Sequence, residues 1–264
     1  YHPKTLASEH IAQKLGVPAV RAHVVPLYVP TAAFPAPIVR GGRSMGPVLN
    51  RATWSAFLAA VYAPYNGMIN QWRNQALGLR PMRQDPPPIA LTLYGYSEHI
   101  VPRPADWPAN VVVTGSWFLD AETGWQPPSE LMDFLAAGEP PVYVGFGSMP
   151  SLAPEQTTRI IVNALRRAGV RGLIFSGVAG LGRTESGSDI LIMQAAPHSW
   201  VFPRVAAVVH HGGAGTTAEG LRAGRPTLVV PTFGDQPFWG ERVAALGAGP
   251  RPIPVRQITE PRLA

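Results

Sequence analysis

Cysteine is absent from the 264 residues. Disulfides, thiol nucleophiles and cysteine-based zinc sites are therefore excluded, and the composition is compatible with a reducing compartment. Lysine is nearly absent as well: Lys4 and Lys14 stand against 20 arginines. Charged residues of both signs make up only 14% of the chain, where about 25% is usual for a soluble domain. No apolar run approaches the ~20 residues of a membrane helix. The first residues do not read as a secretory signal. A cytoplasmic location is the expectation from these features. No Gly-X-Y period occurs, which excludes collagen, and apolar runs recur throughout, which argues against disorder.

Glycine and proline, by contrast, are abundant, with 27 and 30 residues. Apolar residues make up 46% of the chain, enough to bury a core. The net charge is +6. Residues 1–120 hold ten basic and five acidic side chains, so most of the excess is in the first part. These charges are scattered, and no Lys/Arg run is interleaved with aromatics. A nucleic-acid groove is therefore not indicated, and the arginines read as a solvated surface set.

The apolar pattern alternates between strands and helices. Ala7, Ile11, Ala12 and Leu15 recur at helical spacing and Gly16 closes that helix, after which Val17–Ala22 reads as a strand. Residues 26–50 are aromatic and broken by proline, the composition of a functional loop. A helical pattern runs from Arg51 to Leu77, interrupted at Pro64. Short strands are expected at 89–94, 110–114, 141–146, 172–175, 190–193, 206–209 and 226–230. Helices are expected at 154–168, 215–222 and 236–246, and Thr259 reads as the N-cap of another. Short apolar strands alternating with helices predict a parallel sheet covered on both faces.

Three loops follow strands at one edge of such a sheet, where ligands bind in α/β folds. The sharpest is His210-His-Gly-Gly-Ala-Gly-Thr-Thr217. Its glycines allow close backbone approach, and its last residues open a helix whose free N–H groups and dipole favour an anion, phosphate above all. His211 adds a hydrogen-bond donor, or a charge when protonated. Adjacent His210 and His211 make poor joint metal ligands, and no metal site is indicated. A second loop, Gly145–Pro150, lacks the third glycine and the downstream acid of a dinucleotide site; Ser148 offers it a hydroxyl instead. In the third loop, Asp235 and Gln236 pair an acceptor with an amide, a set suited to sugar hydroxyls. Asp235 equally reads as the N-cap of the helix that begins at Gln236.

Taken together, these stretches resemble glycosyltransferase family 1, with its two-domain GT-B fold. The subgroup they resemble is that of the sterol glucosyltransferases and the bacterial antibiotic glycosyltransferases acting on glycopeptides and macrolides. The matching segments are 102–108, 113–120, 142–149, 196–203, 208–219 and 231–239. The resemblance implies an α/β fold of two Rossmann-like domains with parallel sheets, the N-terminal one incomplete. Residues 1–117 would be the acceptor-binding part, 118–139 a linker and 140–264 the donor-binding domain.

The resemblance also implies roles for individual residues. Ser148, His211, Gly212, Gly213, Ala214, Gly215, Thr216 and Thr217 would hold the diphosphate of a UDP- or TDP-hexose. Glu219 would bind the ribose, Asp235 and Gln236 the transferred sugar. Ala195, Ala196, Pro197 and His198 would frame the base. Ala195 stands where the plant branch stacks a tryptophan, so the choice of base is open. The acceptor would be a lipophilic small molecule lying over residues 26–75, with peripheral membrane contact if it is a lipid.

The expected reaction is inverting transfer that uses no metal and no further cofactor. The family's catalytic base aligns before Tyr1, so the chain reads as a fragment that does not transfer sugar by itself. Two other functions share the same motifs: a nucleotide-sugar-binding module without catalysis, and a GT-B epimerase. The latter would need a second acid beside Asp235.

Overall fold

The computed structural model describes residues 1–39, 44–120, 122–146, 154–176 and 187–264. The chain divides into two compact units, Tyr1–Trp117 and Phe118–Ala264.

The first unit contains α1 (Ser8–Leu15), β1 (Ala19–His23), α2 (Pro47–Leu77), β2 (Ile89–Tyr94) and β3 (Val111–Val113). Its three strands form a parallel sheet in the order β1-β2-β3. Helix α1 ends as the sequence predicts, on Gly16 at φ 65°, a left-handed conformation that glycine adopts without steric cost. Helix α2 differs from expectation at two points. It begins at Pro47 rather than Arg51, and it runs through Pro64 without a break. Proline suits the first turn of a helix, where its missing N–H has no partner to lose. Inside the helix, Pro64 costs about 3 kcal/mol. Trp54 and Phe57 are buried before it, and Ile69 and Arg73 after it, so both halves are fixed by packing.

Most of the described arginines are exposed, as a solvated surface set would be, but Arg73 and Arg103 are not. Arg73 is wholly buried. It donates to the carbonyls of Arg80 (3.0 Å) and Asp85 (2.7 Å), to Gln13 Oε1 (2.9 Å) and to His10 Nδ1 (2.6 Å), joining α1, α2 and the loop before β2. Because Arg73 always donates, His10 accepts as a neutral imidazole, and burial lowers its pKa in the same sense. Arg103 likewise donates to the carbonyls of Val111, Pro104, Trp107 and Pro108, at 2.8–3.3 Å. Proline-rich loops supply few N–H groups, and the five-donor guanidinium makes up for the shortage.

The second unit contains α3 (Ser129–Ala136), β4 (Val142–Gly145), α4 (Pro154–Arg167), β5 (Gly172–Phe175), β6 (Ile190–Met193), α5 (His198–Val201), β7 (Ala207–His210), α6 (Ala214–Arg222), β8 (Thr227–Val229), α7 (Gln236–Ala245) and α8 (Glu260–Leu263). Its five strands are all parallel, in the order β6-β5-β4-β7-β8. Successive side chains enter opposite faces. Tyr143, Leu173, Leu191 and Val208 join one core cluster, and Val144, Ile174, Ile190 and Val209 the other. That division explains why the strands read as unbroken apolar runs. Within segment 118–139, α3 contributes Leu131 and Phe134 to the first cluster. Thr259 precedes α8 in extended backbone, but its side chain makes no capping hydrogen bond.

The strand order reverses between β4 and β7, the position at which open α/β sheets bind ligands. Among the described residues, no helix is long and apolar enough to cross a membrane.

Replacing Arg73 with Met leaves two partly buried carbonyls and a buried imidazole nitrogen without donors. The first unit is expected to lose about 3 kcal/mol or more. Urea denaturation followed by tryptophan fluorescence would show this as a lowered midpoint; an unchanged midpoint would remove Arg73 from its organising role.

Candidate functional site

The loop after β7 is shaped by a turn at Gly212, where φ is 94°. The Gly212 amide donates to His210 Nδ1 at 3.0 Å. A side chain there would also collide: a Cβ would lie 2.6 Å from Val229 Cγ1 and 2.9 Å from the Gln236 carbonyl oxygen. The turn therefore seats this loop directly against the start of α7. A Cβ on Gly213 would lie 2.7 Å from His211 Nε2, so the His211 ring folds over a backbone that has to be bare.

Helix α6 begins at Ala214, after Gly213 in extended backbone. The amides of Ala214, Gly215 and Thr216 belong to its first turn and have no intrahelical partner. These three residues are at least partly open to solvent. Two of the expected ligands have donors engaged within the protein. Gly212 has its N–H committed to His210. Thr217 is fully buried, and both its amide and its hydroxyl donate to the Gly213 carbonyl, at 2.9 Å each. The backbone donors left open within the motif are those of residues 214–216. Ser148 lies outside the described residues.

Next to these donors stands a group of neutral imidazoles. His210 is wholly buried, and burial holds its pKa at about 3, with His211 and His198 adding to the effect. Burial also lowers the His211 pKa, against an upward pull from Asp235. Of its two expected states, His211 is accordingly the neutral one. Its Nδ1 is buried and has no hydrogen-bond partner. His198 is lowered to about 4 by burial, then by His211. Its Nε2 lies 3.0 Å from the Tyr143 hydroxyl, and its ring stacks on Phe202 at 4.6 Å. The His198 side chain is therefore held by the core. Ala195, Ala196 and Pro197 form the open stretch between β6 and α5.

Asp235 occupies the N-cap position of α7 but makes no capping bond. Its Oδ2 accepts from the Trp239 indole N–H at 2.9 Å instead. Gln236 Oε1 accepts from the amides of Thr232 (2.7 Å) and Phe233 (3.2 Å), which leaves its NH2 as the end available to a ligand. Glu219 is largely shielded, and burial raises its pKa; Arg222 counters this and Asp120 reinforces it. It borders a cleft of about 400 Å³ shared with Ser199, Trp200, Arg204 and Arg222. Among the described residues, no group of three His, Asp or Glu side chains is placed to hold a metal ion.

The structure brings His211, residues 214–216, Asp235 and Gln236 to one edge of the sheet. Sequence reasoning missed His210 and Trp239 as supports. The second was readable: Asp235 and Trp239 are four residues apart, on one face of a helix.

Residues 186–263 match the family described as Erythromycin biosynthesis protein CIII-like, C-terminal domain. The chain is 41% identical to Sterol 3-beta-glucosyltransferase UGT80A2 of Arabidopsis thaliana over 264 residues, covering 98% of this chain and 41% of that protein. It is 38% identical to Sterol 3-beta-glucosyltransferase of Leptosphaeria maculans over 261 residues, covering 94% of this chain and 18% of that one. The chain thus spans about two fifths or less of these relatives' length. Among solved structures, the glycotransferase of kitacinnamycin superposes with a TM-score of 0.67 at 18% identity, covering 100% of this chain and 64% of that one. Spinosyn rhamnosyltransferase SpnG, solved with thymidine diphosphate, superposes with 0.60 at 18% identity, over 99% and 61%. Residues 186–263 carry the matched domain, the whole chain is homologous to the sterol 3-beta-glucosyltransferases, and its fold is that of GT-B glycosyltransferases.

Histidines held neutral make the second unit sensitive to acid. An unfolded histidine titrates near 6.5, whereas His210 and His198 titrate at about 3 and about 4 in the folded chain. Below pH 6.5 the unfolded state binds more protons, so their stabilisation is complete above 6.5 and is lost as pH falls. The expected slope reaches about 1.4 kcal/mol per pH unit for each histidine. Urea midpoints at pH 7.5, 6.0 and 5.0 should fall in that order; equal midpoints would contradict the burial argument.

Proposed function

We propose that this chain supplies the nucleotide-sugar site of a glycosyltransferase. The reaction moves a hexose from a UDP- or TDP-hexose to a hydroxyl of a lipophilic acceptor, with inversion at the anomeric carbon. The observation that carries this reading is the pairing of an open helix N-terminus with a buried, unpartnered His211 Nδ1, beside the Asp235–Gln236 pair. Homology to proteins named as sterol glucosyltransferases supports the same reaction class.

In this reading the diphosphate sits on the amides of Ala214, Gly215 and Thr216, together with the Thr216 hydroxyl. Neutral His211 donates one hydrogen bond to a phosphate oxygen. As the glycosidic C–O bond breaks, negative charge grows on the leaving diphosphate. Preorganised N–H dipoles stabilise that charge without rearrangement at the moment of reaction. Asp235 accepts from a sugar hydroxyl through the oxygen that Trp239 does not hold, and Gln236 donates through its NH2. Glu219 accepts from the ribose hydroxyls. Ala195 offers no ring, so the base is held through the backbone of residues 195–198.

The acceptor hydroxyl must lose its proton to a general base as it attacks. We assign that role to no residue of this chain. The acceptor belongs with residues 26–75, where Tyr28, Phe57 and Tyr62 gather their rings within 6.5 Å of one another's centroids through Tyr28. SpnG, solved with spinosyn aglycone, gives the fold a precedent for such an acceptor. Reaction in the cytoplasm, with contact to a membrane surface where the acceptor is a lipid, completes the reading.

Calorimetric titration of the chain with UDP tests it. His211→Ala is expected to weaken binding about tenfold or more, the loss of one hydrogen bond to a charged group. Identical affinity in wild type and variant would count against the cradle. Asp235→Asn should weaken UDP-glucose while leaving UDP unchanged, because Asp235 meets only the sugar.

A further inference from the structure

Arg222 stands beside Glu219 with no part in the reading above. It lies one helical turn along α6, with Nη1 3.8 Å from Glu219 Oε1 and 3.4 Å from Asp120 Oδ1. Its guanidinium carbon is 4.4 Å from the centroid of the Phe118 ring, within cation–π range. The arginine is thus fixed from three directions: an aromatic face, an exposed carboxylate and the shielded Glu219. The Glu219 side chain is only 12% exposed, against 77% for Asp120.

We propose that Arg222 is a positioning residue for Glu219, holding its carboxylate ionised and aimed into the cleft so that it accepts from the ribose hydroxyls of the donor nucleotide. The inference rests on the ribose role of Glu219 given above. Its physical basis is the shielding of Glu219. A carboxylate removed from water favours protonation, and a protonated acid accepts fewer hydrogen bonds. Asp120 on its own would worsen this by like-charge repulsion. Arg222 counters both effects by binding the two carboxylates through one nitrogen, so that Asp120 also holds the arginine in place. Phe118 orients the guanidinium plane, which a lysine ammonium could not exploit in the same way. Arg204, the other cation of the cleft, lies over the Trp200 ring at 4.1 Å and donates to the Trp200 carbonyl, so it is fixed elsewhere.

The test compares UDP with 2′,3′-dideoxy-UDP, which lacks both ribose hydroxyls, by calorimetry on the 264-residue chain. Glu219→Gln and Arg222→Met are both expected to weaken UDP and to leave the dideoxy analogue unchanged. For Arg222→Met the loss should be about three- to fivefold, the scale of a partly screened ion pair. Arg222→Lys keeps the charge and should recover part of the UDP affinity. Loss of both ligands alike in Arg222→Met would mark general damage to α6 and overturn the proposal. So would a selective loss in Glu219→Gln with none in Arg222→Met. If UDP binding is absent, or if Glu219→Gln leaves it unchanged, the ribose reading itself fails, and the role of Arg222 with it.

Discussion

The hydrogen bond from the Gly212 amide to His210 Nδ1 decides where the chain goes after β7. It needs a neutral imidazole, and burial keeps His210 neutral. It needs a left-handed backbone at Gly212, and Val229 and Gln236 leave no room for any side chain there. The turn so fixed delivers three things to one place. It opens the N-terminus of α6, folds His211 over Gly213, and presses the loop against the start of α7, where Asp235 and Gln236 stand. The candidate site is built around a residue that touches no ligand.

Support from behind recurs at three side chains of the candidate site. Asp235 is held by Trp239, Gln236 by the amides of Thr232 and Phe233, and His198 by Tyr143 and Phe202. In each case one polar end is committed to the protein. The other end is oriented before any ligand arrives, which lowers the entropy lost on binding. Selectivity follows from the same division: Asp235 can only accept and Gln236 is left to donate, so the pair distinguishes the two ends of a hydroxyl.

Most of the architecture could be read from the sequence because its signals are local. Apolar strands of the second unit, the Gly16 cap and the strand-loop-helix order at 207–222 depend on neighbours a few residues away. Helix α2 was misread at Pro64 because a proline penalty is local, whereas the packing of Trp54 and Ile69 that offsets it is not. Which donors of the glycine-rich motif stay open could not be read for a related reason. A glycine-rich string does not show which amides already have partners, and Gly212 and Thr217 do. His210 is three-dimensional information of the same kind: its partner lies two residues away, but its burial comes from the whole sheet.

The arginine clamps on loop carbonyls carry a consequence for how the chain tolerates its surroundings. Arg73 and Arg103 tie down proline-rich segments, each with one planar set of donors that meets several carbonyls. An ammonium in the same place would let go in strong alkali and would fill fewer carbonyls at once. Acid strikes both units of this chain. It reaches the imidazoles around the β7 loop, and in the first unit it reaches His10, whose neutral ring accepts from Arg73. The arginine-for-lysine bias that looked like a matter of surface charge is, at these positions, a matter of backbone geometry.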